Sequence, residues 1–344
     1  MAQYLKISSS HGIKALFVFF DDCWNEETVS GKQPAPKPGV HNSGWVQDPA
    51  VSLRKDTTRL FPVLEKYVKD VLTTFKDDNR ILLWDLYNEP GNSTHGMNSM
   101  PLLKNVFKWA REVNPSQPVS SGIWFFRYPE LNQFQISHSD VITYHNYDNP
   151  ANHELEINML KIHNRPLICT EYMARRNNSR FENITPLLKR NNVAAINWGF
   201  VSGKTNTIFA WDEPKPDQKE PALWFHDIYR QDKTPFDQKE VDLIKKLTGK
   251  NNGVKLMNAA DFKGTIDGKN VDLYTLKNRQ GMVAQITNFG GRVVSLWVPD
   301  NKQNMIDVVT GFSSLKEYQD GNEVYFGALI GRYGNRIGKG KFTL

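Results

Sequence analysis

Two glutamates close two apolar runs. Ile81-Leu-Leu-Trp-Asp-Leu-Tyr-Asn-Glu-Pro90 ends in Asn88 and Glu89, and Pro166-Leu-Ile-Cys-Thr-Glu-Tyr172 ends in Glu171. Runs this rich in Leu and Ile read as strands buried on both faces. A carboxylate at the exit of each of two buried parallel strands suits paired work, one group as acid/base and the other as nucleophile. Asn-Glu-Pro by itself also ends ordinary strands, because Asn and Pro stop pairing and Glu is soluble. The second strand and the aromatic residues around both glutamates favour chemistry.

The elements that would position these carboxylates alternate between strand and helix. Residues 1–10 read as the end of a helix stopped at His11-Gly12, and Ile13–Phe20 as a buried strand with Asp21-Asp22-Cys23-Trp24-Asn25 at its exit. A Pro/Gly-rich loop over Ser30–Gly44 follows, long enough to carry substrate contacts. Asp48-Pro49 is expected to cap a helix reaching about Lys76, with Leu60, Val63, Leu64, Tyr67, Val68, Val71 and Leu72 as its core stripe. After the Glu89 strand come a helix over Leu102–Val113, strands over Val119–Phe125 and Asp140–Tyr147, and a helix over about 152–163. The Glu171 strand, a helix over Ser179–Asn191, a strand over Val193–Phe200 and a helix over Glu220–Tyr229 complete the series. This alternation predicts parallel βα units, with polar and aromatic residues gathered at the strand C-termini as in a (β/α)8 barrel. The fold class is therefore α/β.

The pattern changes near residue 232. Residues 232–255 have linker composition, a polar segment with room for a short helix, with Lys233-Thr-Pro at the start and Gly249-Lys-Asn-Asn-Gly253 near the end. Beyond them Val271–Leu276, Met282–Thr287 and Val293–Val298 alternate as short strands between turn residues, which predicts an antiparallel β unit over 256–344.

Trp84-Asp-Leu-Tyr-Asn-Glu-Pro90 resembles the acid/base signature of clan A glycoside hydrolases, and Ile168-Cys-Thr-Glu-Tyr172 their nucleophile strand. Family 5, the cellulase family, is the nearest resemblance. It implies a retaining β-glycoside hydrolase with Glu89 as acid/base, its pKa raised in part by the charge of Glu171, and Glu171 as nucleophile. It implies that Asn88 bonds the sugar 2-OH, that His145 and Tyr147 are the sixth-strand pair whose Tyr orients the nucleophile, and that Trp198 is the platform under the reactive sugar. Trp24, Trp45 and Trp124 are further subsite candidates. It also places Glu89 on the fourth strand and Glu171 on the seventh, so the first two βα units are expected to be absent, along with the second-strand Arg that bonds the nucleophile. A homodimer could then cover the open barrel edge.

Asn288-Phe-Gly-Gly-Arg292, Asp307–Phe312 and Gly331–Lys341 resemble the opening of aldose 1-epimerases. The resemblance implies that Asn335 and Arg336 contact a sugar. The catalytic His and Glu of that family find no counterpart here, so no epimerase activity is expected. The Gly-rich tail lacks the Lys-Ser/Thr ending of a phosphate loop.

Composition narrows the partners. The 344-residue chain is 39% hydrophobic, with nine Trp and twelve Tyr, which excludes wholesale disorder and leaves room for sugar-stacking surfaces. A net charge of +6, with no arginine-rich helix or zinc pattern, does not indicate a nucleic-acid partner. No cofactor is expected, and no metal, since no ligand cluster shows in the spacing. Cys23 and Cys169 form no C-x-x-C, and Cys169 reads as a small core residue. The first ten residues lack an apolar signal-peptide core and no run of about 18 apolar residues marks a membrane span, although relatives of such enzymes are usually exported. The expected substrate is a plant β-1,4-glycan cut internally, xylan or β-glucan first. The alternatives are a carbohydrate-binding remnant and a mutarotase.

Overall fold

The computed structural model describes residues 1–28, 31–32, 35–124, 126–248, 254–278, 280–300, 304–321 and 325–330. Two compact units emerge, Met1–Leu247 and Thr248–Leu344.

In the first unit six strands run parallel: β1 (Ala15–Val18), β2 (Ile81–Asp85), β3 (Val119–Ser120), β4 (Ile142–His145), β5 (Leu167–Glu171) and β6 (Ala194–Ala195). They pair as β1-β2-β3 and β4-β5-β6, and a parallel bridge between Ile123 and Tyr144 joins the two sets into one arc. Helices α1 (Ala2–Ser10), α2 (Thr57–Phe75), α3 (Met100–Val113), α4 (Pro129–His138), α5 (Pro150–Lys161) and α6 (Phe181–Arg190) alternate with them, and α7 (Gln238–Thr248) follows. This is a TIM-barrel-type fold in which the described strands make six of the eight a closed barrel would have. Leu82 and Ile196 are 46% and 40% exposed, and a cavity of about 830 Å³ lies at the N-terminal ends of β2, β4, β5 and β6.

Several expected elements differ. The helix expected from Asp48 is divided. A 3-10 turn covers Val51–Lys55, and α2 starts only after Asp56, whose side chain accepts the Arg59 amide as an N-cap. Its buried stripe is Leu64, Val68 and Leu72, four residues apart; Val63 is exposed, and Tyr67, partly exposed, sets its ring against core residues Phe19 and Phe20. The strand expected over 119–125 pairs at Val119–Ser120 and again only at Ile123.

No helix forms over 220–229, because tertiary partners take the backbone groups a helix would use. The Phe225 and His226 amides donate to Ile208 O and Thr207 O, and Arg175 takes the carbonyls of Trp224, Phe225 and Asp227. Within the composition-defined linker, α7 packs Val241 into the barrel core, and its Glu240 accepts two hydrogen bonds from buried Arg175.

The second unit is antiparallel. A hairpin of β7 (Gly264–Ile266) and β8 (Lys269–Val271) turns at Asp267-Gly268, both with positive φ, as a two-residue turn requires. Strands β9 (Leu273–Lys277), β10 (Val283–Thr287), β11 (Arg292–Pro299) and β12 (Met305–Asp307) form a sheet in the order β12-β11-β10-β9, followed by α8 (Leu315–Asp320). Asn335 and Arg336 lie outside the described residues.

Candidate active site

The polar ends of β1, β2, β4 and β5 converge. Just past β2 the chain turns sharply, and Glu89 adopts φ +43°, a left-handed conformation that costs a non-glycine residue about 1 kcal/mol or more. The turn is held on both sides. The Asn88 amide donates to Phe20 O at 2.7 Å and the Gly91 amide to Asp22 Oδ2 at 2.8 Å. Asp22 is fully buried and also accepts from Arg54 Nη1 (2.6 Å), Tyr87 Oη (2.7 Å) and Ser99 Oγ (2.5 Å). Such a satisfied network fixes the backbone that aims Glu89.

Both oxygens of Glu89 are engaged. Oε1 lies 2.7 Å from His145 Nδ1, while Oε2 accepts from Asn92 Nδ2 at 2.5 Å and from the Cys23 thiol at 3.1 Å. Tyr147 Oη donates to Glu171 Oε2 at 2.7 Å. His145 Nδ1 is 3.5 Å from that same Glu171 oxygen. One donor atom each from Glu89, His145 and Glu171 all lie within 4.8 Å of one another. An ionised carboxylate only accepts, so Nδ1 carries a proton toward Glu89. Nε2 is buried without a hydrogen-bond partner among the described residues, and its ring rests over Gly122, where a Cβ would come within 3.1 Å of it.

These contacts set the charges. Burial lowers the His145 pKa, but the nearby charge of Glu171 and the hydrogen bond and charge of Glu89 outweigh it and raise the group to about 9. Burial raises Glu89, yet the His145 hydrogen bond and charge, with Cys23 and Asn92, bring it below its ordinary value. Burial, against the charge of His145 and with that of Glu89, holds Glu171 up at about 7. The expected raised pKa of Glu89 is therefore reversed, because His145 bonds Glu89 more closely than Glu171. Near neutral pH a protonated imidazole lies between an ionised Glu89 and a Glu171 in mid-titration. Passing its Nδ1 proton to Glu89 would create one neutral acid facing one anion.

Asn88, Glu89, Tyr147, Glu171, Trp24, Trp45, Trp124 and Trp198 line one cavity of about 480 Å³. Asn88 Nδ2 donates to Asp21 Oδ2 at 3.2 Å, and Trp45 Nε1 donates to the same oxygen at 3.0 Å. Burial raises Asp21 to about 6. Trp124 Nε1 donates to Pro90 O, and Trp198 meets Trp45 edge to face at 5.4 Å. His41 and Asn42, from the Pro/Gly-rich loop, complete part of the wall.

The residues not anticipated are Asn92, Trp211 and His226, and the grouping of Cys23 with Glu89. Asn92 follows Glu89 by three residues, a signal available in the sequence. Trp211 and His226 sit in irregular chain with no motif. The Glu89–His145–Glu171 group also has donor spacing that could hold a metal ion, a cluster invisible in the linear spacing.

Residues 36–203 match the family model for "Glycosyl hydrolases family 2, TIM barrel domain", and residues 272–344 that for "Aldose 1-epimerase". Residues 36–203 are thus similar to a glycoside hydrolase barrel domain, and residues 272–344 to an aldose 1-epimerase domain. The motif around Glu89 resembles that of family 5, whereas the matched barrel model is that of family 2. The aldose 1-epimerases of Escherichia coli (strain K12) and Shigella flexneri are each 35% identical over 77 residues, 22% of this chain and 22% of theirs. The chain thus spans about a fifth of the length of the curated relatives it matches. Solved structures similar to it include the endo-β-1,4-mannanase from Thermotoga petrophila, at TM-score 0.46 and 14% identity over 85% of this chain and 69% of that one. A GH10 endoxylanase from a sugarcane soil metagenome gives TM-score 0.45 and 11% identity over 71% and 81%. In the barrel unit, the carboxylates and the aromatic cavity share the strand C-terminal face.

Proposed function

We propose that the barrel hydrolyses β-1,4-linked glycans with net retention, Glu89 serving as acid/base and Glu171 as nucleophile. The observation that carries this reading is the spacing of the two carboxylates, whose facing oxygens lie within 4.8 Å. Retaining enzymes hold their carboxyl groups about 5–5.5 Å apart, whereas inverting enzymes leave about 6.5–9.5 Å for a water.

Glu89 gives its proton to the glycosidic oxygen as Glu171 attacks the anomeric carbon. The sugar–oxygen bond breaks, the leaving alcohol departs with the proton, and a glycosyl ester forms on Glu171. Glu89, now ionised, takes a proton from water, and the resulting hydroxide equivalent displaces Glu171 from the same face the leaving group left. Tyr147 holds the nucleophile, His145 supplies charge and a proton path to Glu89, and Asn88 is directed at the 2-OH. Trp24, Trp124 and Trp198 offer stacking faces for the flanking sugars. Xylan or β-glucan, cut internally, is the proposed substrate.

The test is a panel of aryl β-xyloside, β-glucoside and β-cellobioside with xylan and carboxymethyl-cellulose, run on the native chain and Glu171→Gln. Turnover that gives the β-anomer first and disappears in the variant supports the reading. Saccharide binding with no turnover by either protein would replace it with a binding role.

A further inference from the structure

We propose that Asp21 is a positioning residue: its carboxylate fixes the side-chain amide of Asn88 with Oδ1 toward the cavity, so that the site selects sugars whose C2 hydroxyl donates a hydrogen bond. The inference rests on the reading of this cavity as a sugar site. Asn88 lines the cavity one residue before Glu89. Its Nδ2 donates to Asp21 Oδ2 at 3.2 Å and to Cys23 Sγ at 3.7 Å. The chemistry of these partners sets the orientation of the amide. An ionised carboxylate only accepts, and the Cys23 thiol hydrogen is already directed at Glu89 Oε2, 3.1 Å away. Both partners therefore need the NH2 end of Asn88 and reject its oxygen. Among the described residues, no group donates to Asn88 Oδ1.

Asp21 is itself firmly held. It stands at the exit of β1, and its backbone exchanges two hydrogen bonds with Asp48, both 2.9 Å long. The residue is 7% exposed. Its Oδ1 accepts from the Cys23 amide at 2.6 Å, and its Oδ2 accepts from Trp45 Nε1 at 3.0 Å as well as from Asn88. Rotation of the carboxylate would break all of these bonds together. The Asn88 backbone is tied to the same segment, through its amide on Phe20 O at 2.7 Å.

The result is an acceptor aimed at the ligand. A hydroxyl at C2 can donate to an amide oxygen, whereas fluorine at C2 cannot. A site built to hydrogen-bond a substrate hydroxyl discriminates strongly against an analogue that lacks the donor. Without the carboxylate of Asp21 the amide is free to turn, and its NH2 end tolerates either substituent.

The experiment measures ground-state binding by calorimetry, in the full chain carrying Glu171→Gln so that no glycosyl ester forms. The probes are aryl β-cellobioside and aryl β-xyloside, each paired with its analogue bearing fluorine in place of the C2 hydroxyl next to the aryl group. The fluoro analogue should bind about tenfold or more weakly than its parent. That ratio should collapse to about threefold or less when Asp21→Ala, Asp21→Ser or Asn88→Ala is added. A residue that merely supports the fold would weaken both ligands alike and leave the ratio unchanged. A ratio near one in Glu171→Gln overturns the inference, as does a full ratio that survives Asn88→Ala or either Asp21 substitution in a protein that keeps its cooperative unfolding transition. Turnover by the native chain with a ratio near one rejects the role of Asp21 alone. A full ratio without native turnover upholds that role and rejects hydrolysis, and absence of binding by every probe overturns both.

Discussion

Tyr147→Phe isolates the hydrogen bond that governs the proposed nucleophile. The hydroxyl donates to Glu171 Oε2 at 2.7 Å, while the ring packs against Trp211 and His226 at centroid distances of 5.2 and 5.3 Å. Phenylalanine keeps the ring contacts and removes only the donor. A hydrogen bond to a charged group contributes about 1.5–3 kcal/mol. At about 1.36 kcal/mol per pKa unit, its loss should raise Glu171 by roughly one to two units. Burial already holds Glu171 up at about 7, with Tyr147 among the groups pulling it down. Because the nucleophile must be ionised, the acidic limb of the kcat/KM profile should move upward, from near pH 7 toward 8 or 9. At pH 6 the variant should be slower by about 10- to 100-fold, given that shift, and should recover part of the loss in alkali. A dinitrophenyl glycoside is the right substrate, since its leaving group needs little help from Glu89. An acidic limb that stays in place, with a loss equal at every pH, would refute this account of Glu171.

Glu89→Gln should keep glycosyl-enzyme formation from the same activated substrate while stalling its hydrolysis, and added azide should restore turnover as a β-glycosyl azide; an α-azide would reject the assigned roles. Gly122→Ala brings a Cβ to 3.1 Å from His145 Nε2, so turnover should fall about tenfold, one displaced interaction of roughly 1.4 kcal/mol, with thermal stability nearly kept. Equal activity in that variant would show that the His145 position is not critical. Glu156 is buried, with Oε1 lacking a hydrogen-bond partner among the described residues, and burial raises its pKa to about 7. Its folded value exceeds the unfolded one, so stability falls as pH rises from about 4.5 through 7, by on the order of 3 kcal/mol. Glu156→Gln should therefore raise the Tm at pH 8 and not at pH 4.5, and an identical pH dependence in both proteins would rule out Glu156 as the cause.

The reach of the sequence can be judged residue by residue. Glu89 and Glu171 stand at the ends of apolar runs, and period alone places such runs as strands whose exits face one side. Val271–Leu276 and its successors alternate with period two, and the observed sheet follows them within a residue or two. Misreadings arose where a distant partner decides the backbone. Glu220–Tyr229 has a helical enough composition, but Arg175 and residues 207–208 capture its peptide groups. Val63 fits a helical stripe drawn too broadly, and only the packing of α2 shows which face is inner. The charge of Glu89 depends on which carboxylate His145 approaches more closely, a matter of tenths of an ångström that no linear spacing encodes.

The ion pair between Arg175 and Glu240 bears on how such chains can be shuffled. Arg175 is buried, bidentate to Glu240, and separated from it by 65 positions that cross the change in composition near residue 232. A gene fragment ended at that seam would leave a guanidinium in the core without its counter-charge, a loss of about 3–5 kcal/mol that rivals the whole margin of a typical domain. Recombination that grafts a new module behind this barrel must therefore carry α7 along with it. The usable joint lies after Thr248, beyond a helix that looks like tether and behaves as a keystone.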